Sequence, residues 1–254
     1  MGLFDLKGKT ALIMGGSSGI GRTIAEAFCE YGANIAIASN DFVALEQTKK
    51  DFEAKFGVNI LIDYFDATSC ESINNLELRI EKHFKGSLNI LVHSVGIVKR
   101  TCIDTLSLNA LNEIMNIDTN SAFIATKIFH PLLKKADFGR VIFISSYFAS
   151  HFSEGRVAYS MSKAAMNALM KTVAIELSRE NITANSISPG GFLTDINKDI
   201  LTNPEILSKI KSSIPMKRIG RLEEIKTTAL YLASQYSSYT TGQDILLDGG
   251  MGLT

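Results

Sequence analysis

Cysteine, net charge and long apolar runs are all scarce in this chain of 254 residues. Its three cysteines, Cys29, Cys70 and Cys102, are odd in number and widely spaced, which argues against a disulfide framework and against a C-x-x-C metal pair. Each is expected to act as a small hydrophobe in a reducing, cytoplasmic setting. Lysine plus arginine and aspartate plus glutamate both number 26, so no net charge draws the protein to nucleic acid or an anionic membrane. No apolar run approaches the roughly 20 residues that span a bilayer, and the N-terminus lacks a basic start followed by an apolar signal core. MGLFDL opens like a myristoylation signal but carries Leu6 where serine or threonine is needed. The four histidines, His83, His93, His130 and His151, lack metal-ligand spacing, so no metal is expected.

The composition is 46% hydrophobic, enough for a substantial core. Short runs rich in Val, Ile and Leu alternate with longer amphipathic segments, without a linker, a low-complexity tract or a repeat. The candidate strands are TALIM, NIAIAS, NILIDYF, NILVHS, RVIFIS, TANSIS and DILLD. They are apolar throughout, as strands covered on both faces should be. Between them, Ile24, Ala27, Phe28 and Tyr31 recur at helical spacing before Gly32, and Ile73, Leu76, Ile80 and Phe84 do so before Gly86. The expected architecture is one α/β domain spanning residues 1–254, a doubly wound parallel sheet of about seven strands with helices on both faces.

The first strand runs into MGGSSGIGR, where Gly15, Gly19 and Gly21 frame Ser17, Ser18 and Ile20 at the spacing G-x-x-x-G-x-G. Glycines there let the backbone turn tightly and approach a pyrophosphate, and the following helix offers free N–H groups and a positive dipole end. Further on, AYSMSKAA places Tyr159 and Lys163 four apart, one turn from each other on a helix face. Such a pair ordinarily forms a solvated face, but an ammonium beside a phenol also favours the phenolate and so can build an acid–base group.

These motifs, taken in order, resemble the short-chain dehydrogenase/reductase family over the whole length. Gly15, Gly19, Ile20 and Gly21 match its nucleotide loop, and Tyr159 and Lys163 its Tyr-x-x-x-Lys. Ser146, thirteen before the tyrosine, matches its serine. Asn185, Pro189 and Gly190 match N-x-x-x-P-G, Thr194 stands at the usual threonine, and TGQDILLDGG is similar to the final strand. The resemblance implies a Rossmann fold and hydride transfer between NADP or NAD and a ketone or secondary alcohol. Tyr159 would move the proton, Ser146 would hold the reacting oxygen, and Lys163 would bond the nicotinamide ribose. Gly15, Ser17, Ser18, Gly19, Ile20, Gly21, Ser39, Asn40, Asp66, Gly96, Tyr159, Lys163, Pro189, Gly190 and Thr194 would contact the cofactor, Asp66 through adenine. A homotetramer is implied by resemblance alone.

Several positions depart from the family pattern. Asp118 falls where relatives carry an asparagine of the proton relay; it either serves there or points to solvent. The family's N-N-A-G is HSVG here, keeping only Gly96, with His93 expected to be buried and satisfied. These changes leave open a second class of protein, an NAD(P)-binding sensor or subunit with weakened catalysis. The second strand ends in Ser39 and Asn40, with no carboxylate to repel a 2′-phosphate, which favours NADP; Asp41 is near, and Arg22 is the nearest basic candidate. Phe148, His151, Phe152, Phe192 and Leu193 would form an apolar substrate region, with a loop over residues 191–213. The chain is similar to 3-oxoacyl-carrier-protein reductases, with Lys134, Lys135 and Arg179 placed to dock an acidic carrier. Bacterial enoyl reductases place their tyrosine seven before the lysine, and that position is Arg156.

Overall fold

The computed structural model describes residues 2–194 and 203–253. Every expected strand forms: β1 (Thr10–Met14), β2 (Asn34–Ser39), β3 (Leu61–Tyr64), β4 (Ile90–His93), β5 (Gly139–Ile144), β6 (Ile182–Pro189) and β7 (Asp244–Leu247). They make one seven-stranded sheet with all neighbours parallel, in the order β3-β2-β1-β4-β5-β6-β7. β4 and β5 are buried at every residue, whereas the edge strands β3 and β7 are only partly covered.

The described helices are α1 (Gly19–Glu30), α2 (Phe42–Phe56), α3 (Cys70–His83), α4 (Leu108–Met115), α5 (Ser121–Lys135), α6 (Val157–Leu177), α7 (Pro204–Ser213) and α8 (Glu223–Ala233). Alternation along each strand sorts its side chains between two cores. On one face Ala11, Ile13, Ile90 and Val92 pack with Phe28 of α1, Phe52 of α2 and Ile225 of α8. On the other, Leu12, Met14, Leu91 and Phe143 pack with Leu76 of α3, Phe129 of α5 and Met170 of α6. The sheet is thus doubly wound, as the apolar runs implied. One expected core residue differs: Tyr31 follows α1 as its C-cap and is 39% exposed, edge-on to Phe4, because the helix ends one residue before it. Gly32 closes that helix at φ +88°.

The order in which strands are added reverses between β1 and β4, which are parallel and whose C-terminal ends lie side by side, with Ser94 N–H donating to Met14 O. A crevice opens at such a switch point. The cysteines are all free, and burial pushes the Cys29 thiol up to about 12, which makes it the inert hydrophobe expected.

Candidate active site

A cleft of about 370 Å³ lies at the switch point, bounded by the segments that follow β1, β4, β5 and β6. The sequence order alone separates its walls by up to 179 positions, from Gly15 to Thr194. Gly15, Ser17, Ser18, Gly19, Ile20 and Gly21 line one end with Ser39 and Asn40; Ser146, Tyr159, Lys163, Gly96, Pro189, Gly190 and Thr194 line the rest, and of the expected set Asp66 and Asp118 do not line it.

The glycine loop is shaped by crowding. A Cβ on Gly21 would stand 2.1 Å from Gly15 O, and one on Gly15 would stand 2.7 Å from Ser94 O. Gly15 also sits at φ +81°, where only glycine is at ease. Side chains cap α2, α3 and α4 through Asp41, Ser69 and Ser107, but Ser18 makes no such bond at α1. The first N–H groups of α1 therefore remain for a ligand, as an anion site requires. Ser17 Oγ donates to Ser39 Oγ at 2.8 Å and ties the loop to the end of β2.

At the other end, Lys163 is 4% exposed; its Nζ donates to Ile144 O at 3.1 Å and lies 5.8 Å from the Tyr159 ring centre. Ser145 and Ser146 diverge as strand neighbours should. Ser145 Oγ reaches back to Lys163 O at 3.4 Å, whereas Ser146 Oγ accepts Phe148 N–H at 3.2 Å, which leaves its own proton to donate.

Asp118 does not point to solvent. It is fully buried in a π-helical turn, Asn116–Asn120, that joins α4 to α5. Its Oδ1 accepts Ile97 N–H at 2.9 Å, its Oδ2 accepts Ser162 Oγ–H at 2.8 Å, and Oδ2 stands 3.7 Å from Lys163 Nζ. Asn116 and Asn120 are bonded to each other instead, on the exposed side. Gly96 lies over this pair: a Cβ there would meet Lys163 Nζ at 3.0 Å and Asp118 Oδ1 at 3.2 Å.

His93 is buried but only half satisfied. Ser121 Oγ donates to Ile117 O, so its lone pair accepts His93 Nε2–H at 2.8 Å, and Nδ1 has no partner. Burial, aided by the Lys163 charge, pushes its pKa down to about 3, which keeps the ring neutral.

Other expectations land elsewhere. Asp66 lies outside the cleft lining, with Oδ1 taken by Thr68, and Ser69 rather than Asp66 caps α3. Of the aromatic group after β5, only Phe148 lines the cleft; His151 stacks on Tyr147 at 4.3 Å and Phe152 is 74% exposed. Arg22 pairs with Asp51 at 2.6 Å beside a separate hollow. Of the loop expected over residues 191–213, positions 195–202 lie outside the described residues. The structure adds Ser94, Val98, Arg100 and Arg156 to the walls. No motif marked Val98, Arg100 or Arg156 as a wall of the cleft, and only their placement reveals them.

Comparison with known proteins identifies the class. The family model described as enoyl-(acyl carrier protein) reductase matches residues 15–252. A tropinone reductase homologue of Arabidopsis thaliana is 35% identical over 98% of this chain and 94% of its own length. The L-rhamnose 1-dehydrogenase (NADP(+)) of Thermoplasma acidophilum is 36% identical over 98% of both. The NADP active-site complex of Pseudomonas aeruginosa RhlG superposes with a TM-score of 0.92 at 32% identity, covering 98% of each chain. The chain belongs to the short-chain dehydrogenase/reductase family and is an NAD(P)-dependent oxidoreductase of alcohols or ketones. Among the described residues, no helix is long and apolar enough to cross a membrane and no cluster of side chains is suited to a metal ion.

Proposed function

We propose that the protein reduces a ketone, or oxidises the matching secondary alcohol, with Tyr159, Ser146 and Lys163 as its working residues. The carrying observation is that one cleft gathers these three side chains and the uncapped, glycine-framed start of α1. The loop residues Gly15 to Gly21, with Ser39, Asn40, Gly96, Pro189, Gly190 and Thr194, would hold NADP or NAD, which supplies or takes the hydride when bound. NADP is preferred because Ser39 and Asn40 present no carboxylate to a 2′-phosphate. The NADP(+) dependence in the name of the L-rhamnose dehydrogenase supports this choice.

In the reductive direction the carbonyl oxygen gains negative charge, which needs a donor and then a proton. Ser146, whose acceptor side is occupied by Phe148 N–H, donates to that oxygen. Tyr159 gives it the proton. Lys163, held by Ile144 O and the Asp118 carboxylate, places its ammonium beside the phenol and bonds the cofactor ribose. Asp118 positions Lys163 and the Gly96–Ile97 backbone from below.

A 3-oxoacyl thioester is a second, finer reading, supported by Phe148 and Phe192 in the cleft wall. Against carrier docking, Lys134 lies 2.8 Å from Glu180 and Lys135 3.1 Å from Glu81, so carboxylates that would repel an acidic carrier stand beside both. Enoyl reduction is disfavoured because Arg156 occupies the tyrosine position of those enzymes. Exposed Phe123, Met161 and Ile175 on α5 and α6 support a homotetramer, and free thiols support a cytoplasmic setting. The chain is read as one working unit, residues 1–254.

The test follows NADPH and NADH oxidation with a short 3-oxoacyl thioester and with simple ketones. Tyr159→Phe should lower kcat about 10²- to 10⁴-fold while leaving cofactor affinity nearly intact. A variant as active as the wild type would remove Tyr159 from the chemistry. Cofactor binding without turnover of any carbonyl would favour a sensor or subunit instead.

A further inference from the structure

Two arginines that no family motif calls for stand at the Tyr159 end of the cleft. Arg100 and Arg156 both line it, near Val98, Phe148 and Tyr159. The backbone brings them together: Thr101 and Arg156 form an isolated parallel bridge, and Thr101 N–H donates to Gly155 O at 3.2 Å. The Arg156 guanidinium carbon lies 4.7 Å from the Phe148 ring centre and 5.9 Å from that of Tyr159. A stacked guanidinium keeps its in-plane N–H fork available for an oxyanion.

Neither arginine has an acidic partner among the described residues. Arg22, Arg79, Arg218 and Arg221, by contrast, each hold a carboxylate. No described residue lining the cleft is acidic. Arg156 is also the N-cap of α6, a helix of 21 residues with no side-chain cap and no acid in its first turn. A cation there opposes the helix dipole, and the position favours Ser, Thr, Asp or Asn. Burial and the neighbouring Arg100 charge both lower the Arg156 pKa, as two cations without an anion between them should. Three positive features therefore converge on one spot, and no acid among the described residues pairs with either arginine or lines the cleft.

We propose that the substrate carries an oxyanion, a carboxylate or a phosphate, held by Arg100 and Arg156 while its reacting carbon lies against Tyr159 and Ser146. This rests on the ketone–alcohol reading and narrows it to short acidic substrates. The glycine loop is a separate wall of the cleft, so cofactor phosphates bound at α1 do not account for these two charges.

The test separates binding from turnover. Calorimetric titration of the NADP⁺-saturated protein, in which an oxo compound cannot be reduced, compares acetoacetate with methyl acetoacetate and dihydroxyacetone phosphate with dihydroxyacetone. At least one anion should bind tenfold or more tighter than its neutral partner, and which one does distinguishes carboxylate from phosphate. Arg156→Met and Arg100→Met should each reduce that preference, their combination should abolish it, and Arg156→Lys should keep part of it. Should a variant fail to fold, the wild-type comparison repeated at rising salt gives the answer, because the preference must shrink with ionic strength. Equal binding of both members of both pairs overturns the proposal, as does a preference that survives in the double variant. Reduction of neutral and anionic ketones with equal kcat/KM would overturn it too, while leaving ketone reduction itself standing.

Discussion

Asp118 and Lys134 lie on one continuous helical run, yet their charges do different things. Asp118 is fully buried in the π-helical turn, with both carboxylate oxygens hydrogen-bonded and the Lys163 ammonium 3.7 Å away. Lys134, near the end of α5, meets Glu180 on the surface with more than half of its side chain exposed. In water the surface pair gains little, because solvent screens it and two long side chains must be ordered to make it. Inside, either member of the buried pair left alone would be an uncompensated charge, so each requires the other. A short contact is therefore no measure of importance: the surface distance, 2.8 Å, is the smaller of the two.

Three measurements would break or sharpen this contrast. Asp118→Ala should lower unfolding free energy by roughly 3 kcal/mol in urea titrations, since it strands Lys163 and removes two hydrogen bonds. Asp118→Asn, which keeps the shape and can still accept from Ile97 N–H, should lose clearly less. A loss under about 1 kcal/mol for the alanine variant would place the interior pair with the surface ones.

His93 gives the next effect. Its folded pKa, about 3, lies below the ordinary 6.5, so on acidification the unfolded chain takes the proton first. Stability is full above 6.5 and falls as pH drops toward 3. Between pH 7.5 and pH 5 this group alone should contribute a loss of about 2 kcal/mol, and His93→Gln should flatten the profile by that amount. Parallel profiles for the two proteins would refute a neutral buried imidazole. The smallest effect belongs to the surface: Lys134→Ala and Lys135→Ala should each leave Tm within about 2 °C of the parent. A larger drop would mean that the cluster of Glu180, His130 and Lys134 acts as a unit.

Much of the fold was legible because its signals are local. TALIM, NIAIAS and the other apolar runs have the pattern of parallel strands covered on both faces, and they became the strands of this sheet. NILIDYF shortened to Leu61–Tyr64, the four residues that pair with Ala36–Ser39 of β2. The glycine loop and the Tyr159–Lys163 spacing were legible for the same reason: a tight turn and a single helical turn each lie within a few residues. Asp66, His151 and Phe152 stand off the cleft wall, which their positions could not reveal because a place beyond a strand end does not say which way its side chain turns.

Residue order and chemistry were enough to predict the alternating α/β layers and to mark the glycine loop, because these are written in periodicity and local spacing, and the family resemblance singled out Ser146, Tyr159 and Lys163 as the candidates. Only the folded chain decided that Asp118 faces inward to Lys163, that Ser145 turns away while Ser146 keeps a proton to give, and that Arg100 and Arg156 meet with no acidic partner among the described residues. Burial, partnership and the sum of nearby charges depend on segments far apart in the chain, and these quantities exist only once the sheet has brought those segments together.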